Sequence, residues 1–99
     1  MIFAPHILES AHPHCAAHRK EVEASDVCGC FHCQEMFAPS EIDEWLEETS
    51  GELSMRPDPW TAMCPKCGID AVIGCGSGFP VSDPSFLAAM HNRWFENNA

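Results

Sequence analysis

Four of the seven cysteines stand as two Cys-x-x-Cys pairs, Cys30/Cys33 in CGCFHC and Cys64/Cys67 in AMCPKCG, separated by the thirty residues 34–63. Each pair forms a tight turn that directs two sulfurs at one ion while backbone N–H groups point at those sulfurs. Gly68 relieves the sterics of the second turn. Four thiolates complete one tetrahedral zinc site, and a site whose four positions are all filled by protein is structural, because a catalytic zinc keeps one position open for water. The expected cofactor is therefore one structural Zn²⁺ per chain. A thioredoxin-like role needs a CxxC at a helix N-terminus with a lowered thiol pKa, and neither pair has that setting.

Further candidate ligands are Cys28, His14, His18 and His91. Residues 28 and 30 share one face of a strand, so Cys28 approaches the same neighbourhood without the turn geometry of a pair. His14 and His18 are four apart, on one face of an expected helix. Joined by His91 and a carboxylate they would make a second, open metal site suited to hydrolysis, although histidine pairs at this spacing also occur without any metal and no HExxH glutamate is present. The structural alternative for His91 is a half-buried ring bonded to a backbone carbonyl. Cys15 and Cys75 have no partner at ligand spacing and read as small packing residues or exposed thiols.

Seven cysteines in a short chain could instead form a disulfide framework. The odd count, the paired turns, and an N-terminus without a basic start or an apolar run of signal-peptide length favour a reducing cytoplasm. No window approaches the apolar length of a membrane span. Fifteen acidic residues against five Lys and Arg leave a formal charge of −10. Nucleic-acid affinity comes largely from Lys and Arg contacts to phosphate, so this balance disfavours a nucleic-acid partner unless Arg19, Lys20, Lys66 and Arg93 cluster.

The elements expected to position these residues make a small α+β fold and a single domain over 1–99, a size and apolar content that give only a modest core. Residues 1–12 read as an irregular arm limited by Pro5 and Pro13. A short helix is expected over 14–24, with Cys15, His18 and Val22 along one face, then strand, turn and strand over 26–37. Ser40 suits the N-cap of a helix through EIDEWLEE, with Ile42, Trp45 and Leu46 facing inward and Gly51 ending it. The carboxylates Glu41, Asp43, Glu44, Glu47, Glu48 and Glu52 would form its solvated side, dense enough to dock a basic partner. A loop leads to a second hairpin, 60–63 and 69–74, around CPKC. The last helix has Ser82 or Asp83 as cap, Pro84 in its first turn, and Phe86, Leu87, Met90, Trp94 and Phe95 at helical spacing. The whole is a zinc-ribbon-like pair of β-hairpins with CxxC knuckles, flanked by an N-terminal helix, an inserted helix and a C-terminal helix.

The strings CGCFHCQEMFAPSEIDEW, TAMCPKCGIDAVIG and FLAAMHNRWF, in this order and spacing, resemble a family of small bacterial cytoplasmic proteins. The resemblance covers about residues 14–95. It implies a cytoplasmic zinc-ribbon-like protein and carries no activity with it; His32 stands where the family tends to have an aromatic residue in the first knuckle.

Three functional classes follow. The first is a structural zinc-binding protein acting as a protein-interaction module, favoured because the metal is saturated and no nucleophile–base pair or phosphate loop is visible. The second is a metal-dependent hydrolase or nuclease at the His14, His18 and His91 site. The third is a nucleic-acid-associated zinc ribbon. The partner and the oligomeric state are left open.

Overall fold

The computed structural model describes residues 3–96. Three helices, α1 (Pro5–Ala11), α2 (Arg19–Glu23) and α3 (Pro84–His91), accompany five short strands, β1 (Cys28–Cys30), β2 (Met36–Phe37), β3 (Trp45–Glu47), β4 (Trp60–Ala62) and β5 (Val72–Gly74). The strands make two small antiparallel sheets, one of order β2-β1-β5 and one of β3-β4. No helix among the described residues is long and apolar enough to cross a membrane.

The three-stranded sheet lies between helices, and glycine makes both contacts possible. A Cβ on Gly29 would meet the Leu87 side chain and the Val81 carbonyl, whereas one on Gly74 would meet Ser25 and the Val22 backbone. Gly29 pairs with Ile73 and Cys28 with Gly74, so the two glycines face opposite sides: α3 sits on one and α2 on the other. Val22, Ile73, Val72, Phe86, Leu87 and Met90 are fully buried as a result. Gly74→Ala should therefore destabilise the fold by about 1–3 kcal/mol, as overpacking of a filled interior does. Denaturant midpoints check this; a change within a few tenths would mean that α2 is free to move.

Helix α3 follows its sequence signals. The Asp83 carboxylate accepts from the Ser85 N–H at 2.9 Å, Pro84 occupies the first turn, and the pattern continues into a π-helical turn, Asn92–Glu96. Trp94 is carried there against His12, their ring centroids 4.0 Å apart.

Four expectations are corrected. Most of the described part of the supposed arm is helical: Pro5, which was expected to limit regular structure, sits in the first turn of α1, where a proline lacks nothing the helix would use. The helix expected over 14–24 is divided into a 3-10 turn, His12–Cys15, and α2, because Ala17 takes a left-handed φ of 50°. This bend lets Ala17 N–H reach the Thr61 hydroxyl at 2.9 Å and His18 N–H reach the Trp60 carbonyl at 2.9 Å, two bonds that a straight helix would forgo.

The helix expected after Ser40 is a single 3-10 turn, Pro39–Glu41, followed by β3. The Glu41 carboxylate accepts from Ala38 N–H at 2.9 Å, as a helix start would arrange, but the chain then extends to pair Trp45 with Ala62 and Glu47 with Trp60. Strand pairing overrides a weak helical propensity, and Leu46, expected to face inward, is 47 % exposed. Finally, β4 does not pair with β5: it takes β3, and β5 takes β1. The segments around CPKC are bridged only at the knuckle itself.

Candidate metal centre

Both knuckles are built to one pattern. In the first, Cys30 N–H bonds the Glu35 carbonyl at 3.0 Å and Gln34 N–H bonds the Cys30 carbonyl at 2.7 Å. In the second, Cys64 N–H bonds the Ile69 carbonyl at 3.0 Å and Gly68 N–H bonds the Cys64 carbonyl at 2.9 Å. The residue after the second cysteine has a positive φ in each, 65° at Gln34 and 81° at Gly68. Two turns of the same shape, one extending from β1 and one following β4, thus face each other across the site.

Their sulfurs meet. Cys30 Sγ lies 3.7 Å from Cys67 Sγ, Cys33 Sγ lies 3.7 Å from Cys64 Sγ, and all four are within 4.8 Å of one another. Zinc–sulfur bonds of about 2.3 Å in a tetrahedron require sulfur–sulfur edges of about 3.8 Å, so this spacing fits one such ion. Among the described residues no other three His, Cys, Asp or Glu side chains converge in this way. Four close cysteines can hold a metal, and soft thiolate donors in tetrahedral array suit zinc or iron.

The thiols are poised differently. Burial pushes Cys30 and Cys33 above the ordinary thiol range. Burial acts on Cys64 in the same direction, but the N–H groups of Lys66 and Cys67 and the neighbouring thiols outweigh it and bring Cys64 down; Lys66 N–H lies 3.3 Å from its sulfur. A bound dication reverses the effect of burial, since a coordinating thiol loses its proton outright. Cys30 and Cys64 are buried, whereas Cys33 and Cys67 are partly exposed.

The other candidate ligands lie elsewhere. Cys28 is buried opposite Phe37 and Gly74, and burial, then its neighbour Cys75, pushes its thiol up to about 12. His14 Nδ1 contacts both oxygens of Glu21, at 3.0 and 3.1 Å. His18 turns Nε2 to the Val72 carbonyl at 2.9 Å. His91 Nδ1 lies 3.0 Å from the Phe31 carbonyl and Nε2 3.1 Å from Glu96. The bend at Ala17 separates His14 and His18 from a common helix face, and His91 serves instead to brace the first knuckle through Phe31, as the half-buried reading of that ring expected. Buried Cys15, its thiol pushed up to about 11 chiefly by burial, is a packing residue.

Gln34 escaped sequence reading, although aligning the two pairs places it at the position of Gly68. A glutamine there bears a left-handed conformation that costs about 1–2 kcal/mol. Gln34→Gly should stabilise the fold by a few tenths to about 1 kcal/mol, because the glycine also loses more freedom on folding. Gly68→Ala should cost about 1 kcal/mol for the converse reason, with no steric clash, since nothing lies within 4 Å of an added Cβ. Thermal melts of the metal-loaded variants check both signs.

Buried His18 gives the fold a pH dependence. Burial lowers its pKa from the ordinary histidine value, and the Nε2–H tautomer donates to Val72. In the unfolded chain the ring gains a proton near pH 6.5, while the folded ring stays neutral. The unfolded state therefore binds more protons, and His18's contribution is complete above pH 6.5 and is lost as pH falls toward the folded pKa. His18→Gln should flatten that part of the profile of denaturation midpoint against pH; an unchanged profile would show that folding does not alter the proton affinity of the ring.

Comparison of the chain with protein-family models, with curated proteins and with solved structures finds no match in any of the three.

Proposed function

We propose that this chain is a structural zinc-binding protein, holding one Zn²⁺ through Cys30, Cys33, Cys64 and Cys67, and that it works as a zinc-ribbon-like module that docks to another protein. The convergence of four sulfurs from two equivalent turns carries the reading. With all four positions taken by thiolate, the ion clamps two turns distant in sequence and has no vacancy for substrate. Reduced thiols suit the cytoplasm, in keeping with the resemblance to small bacterial zinc-ribbon-like proteins.

A nucleic-acid role draws little support. Arg19 pairs with Glu23, Arg56 with Glu52, Lys66 with Glu41 and Arg93 with Glu9, so four of the five cations already meet carboxylates. A hydrolytic role loses its proposed centre, because His14, His18 and His91 have separate partners.

Native mass spectrometry of protein purified without added metal tests the reading. One zinc per chain is expected. No metal, iron in place of zinc, or two zinc ions per chain would each overturn it.

A further inference from the structure

We propose that the outer edge of β3 is a docking site for an extended, lysine- or arginine-bearing peptide segment, which adds a strand to the β3-β4 sheet. The proposal rests on the reading of the chain as an interaction module and names the surface and the chemistry of the partner.

The edge is open on one side only. Met63 N–H bonds the Glu44 carbonyl at 3.0 Å and Glu48 N–H bonds the Pro59 carbonyl at 2.7 Å, so residues 44, 46 and 48 direct their main chain at β4. By the alternation of an antiparallel ladder, the N–H and C=O of Trp45 and Glu47 point away from it. No hydrogen bond to those four groups occurs among the described residues. The far side of β4 is already occupied, its Trp60 carbonyl accepting from His18 N–H. The open edge is also held firm: the Arg19 guanidinium lies 4.7 Å from the Trp45 ring centre and 6.0 Å from that of Trp60, tying both strands to α2.

Charge decides between occupants. Of the carboxylates around this strand, Glu41 is engaged by Lys66 and Glu48 by the Thr61 hydroxyl. Asp43, Glu44 and Glu47 are exposed and have no ion-pair partner among the described residues. A second copy of β3 laid antiparallel would set these acids against their own kind, and like charges directly opposite are destabilising. A strand carrying lysine or arginine reverses that sign, main-chain bonds supplying affinity and alternate side chains specificity. Leu46, 47 % exposed, offers an apolar contact on the other face.

The test uses the zinc-loaded chain, labelled for amide exchange, and three short end-blocked peptides: alternating Lys and Val, the same peptide with Pro in place of each Val, and alternating Glu and Val. The Lys-Val peptide should slow exchange at Trp45 and Glu47 by about tenfold near saturation, the open fraction of the edge having fallen to about a tenth. Leu46, bonded across the ladder already, should be unaffected. The Pro peptide keeps the charge and the Lys N–H groups but loses every second main-chain donor and cannot continue a ladder, so it should give far less protection, and the Glu-Val peptide should not bind. Neutralising the three carboxylates in D43N/E44Q/E47Q should weaken the Lys-Val peptide about tenfold, since each exposed ion pair contributes modestly and three are removed together. Should that variant not fold, added salt on the unaltered chain reads the same charge dependence.

Equal protection by the Pro peptide would overturn the proposal. So would protection of Trp45 and Glu47 that rises with protein concentration and needs no peptide, which would make the occupant a second copy. Absence of protection by the Lys-Val peptide, with one zinc still bound, would remove the edge site alone. Absence of zinc would remove the module reading itself.

Discussion

Cys64→Ser should leave the chain largely unfolded at room temperature, with the zinc gone and the ellipticity of the helices mostly lost. Structural zinc contributes about 10–16 kcal/mol to the folding of small domains, whereas a whole domain is stable by about 5–15 kcal/mol. Removing one of four ligands sacrifices much of that contribution. It also exposes the cost of burying Cys30, whose thiol is inaccessible to solvent and would regain a proton. Cys75→Ser provides the contrast. Cys75 is outside the cluster and its sulfur accepts from the Asp26 N–H at 3.3 Å, a bond that serine can replace, so the change should cost no more than about 1–2 kcal/mol and leave the zinc in place. Circular dichroism, melting and metal analysis on both variants check the pair. A Cys64→Ser protein that melts like the original would refute the clamp.

Phe86→Ala should destabilise the zinc-loaded chain by about 3–5 kcal/mol, the usual cost of emptying an aromatic site in a packed interior. Phe86 is fully buried. Phe3 meets it edge-on at 5.5 Å and Phe79 stacks on it at 6.1 Å, so the ring joins the N-terminal segment, the glycine-rich turn and α3. None of its ring partners lies in a knuckle. At room temperature the variant should therefore keep its zinc while losing denaturant resistance, which separates the apolar interior from the metal as sources of stability. A loss below about 1 kcal/mol would indicate that α3 is not part of the cooperative core.

The convergence of Cys30, Cys33, Cys64 and Cys67 was legible because much of its geometry is local. A CxxC turn fixes its own two sulfurs, and two such turns with four sulfurs leave few ways to satisfy the donors. The last helix was legible for a similar reason, its cap, proline and apolar spacing all lying within one segment. The bend at Ala17 was not, since it is favoured by partners on β4 more than forty residues away, Thr61 among them. Nor was β3. The segment EIDEWLEE has a helical apolar spacing, and only the presence of Trp60, Thr61 and Ala62 beside it makes extension the better choice. Pairing of β5 with β1 rather than β4 is likewise a property of the assembled sheet. What sequence periodicity reports is one segment's preference; where a distant strand supplies the hydrogen bonds, that preference is outvoted.

X-ray absorption at the zinc edge of the purified protein should show a single shell of four sulfurs at about 2.3 Å. A shell containing nitrogen or oxygen, or fewer than four sulfurs, would contradict the four-cysteine site, because some cysteine of the two knuckles would then be free of the ion.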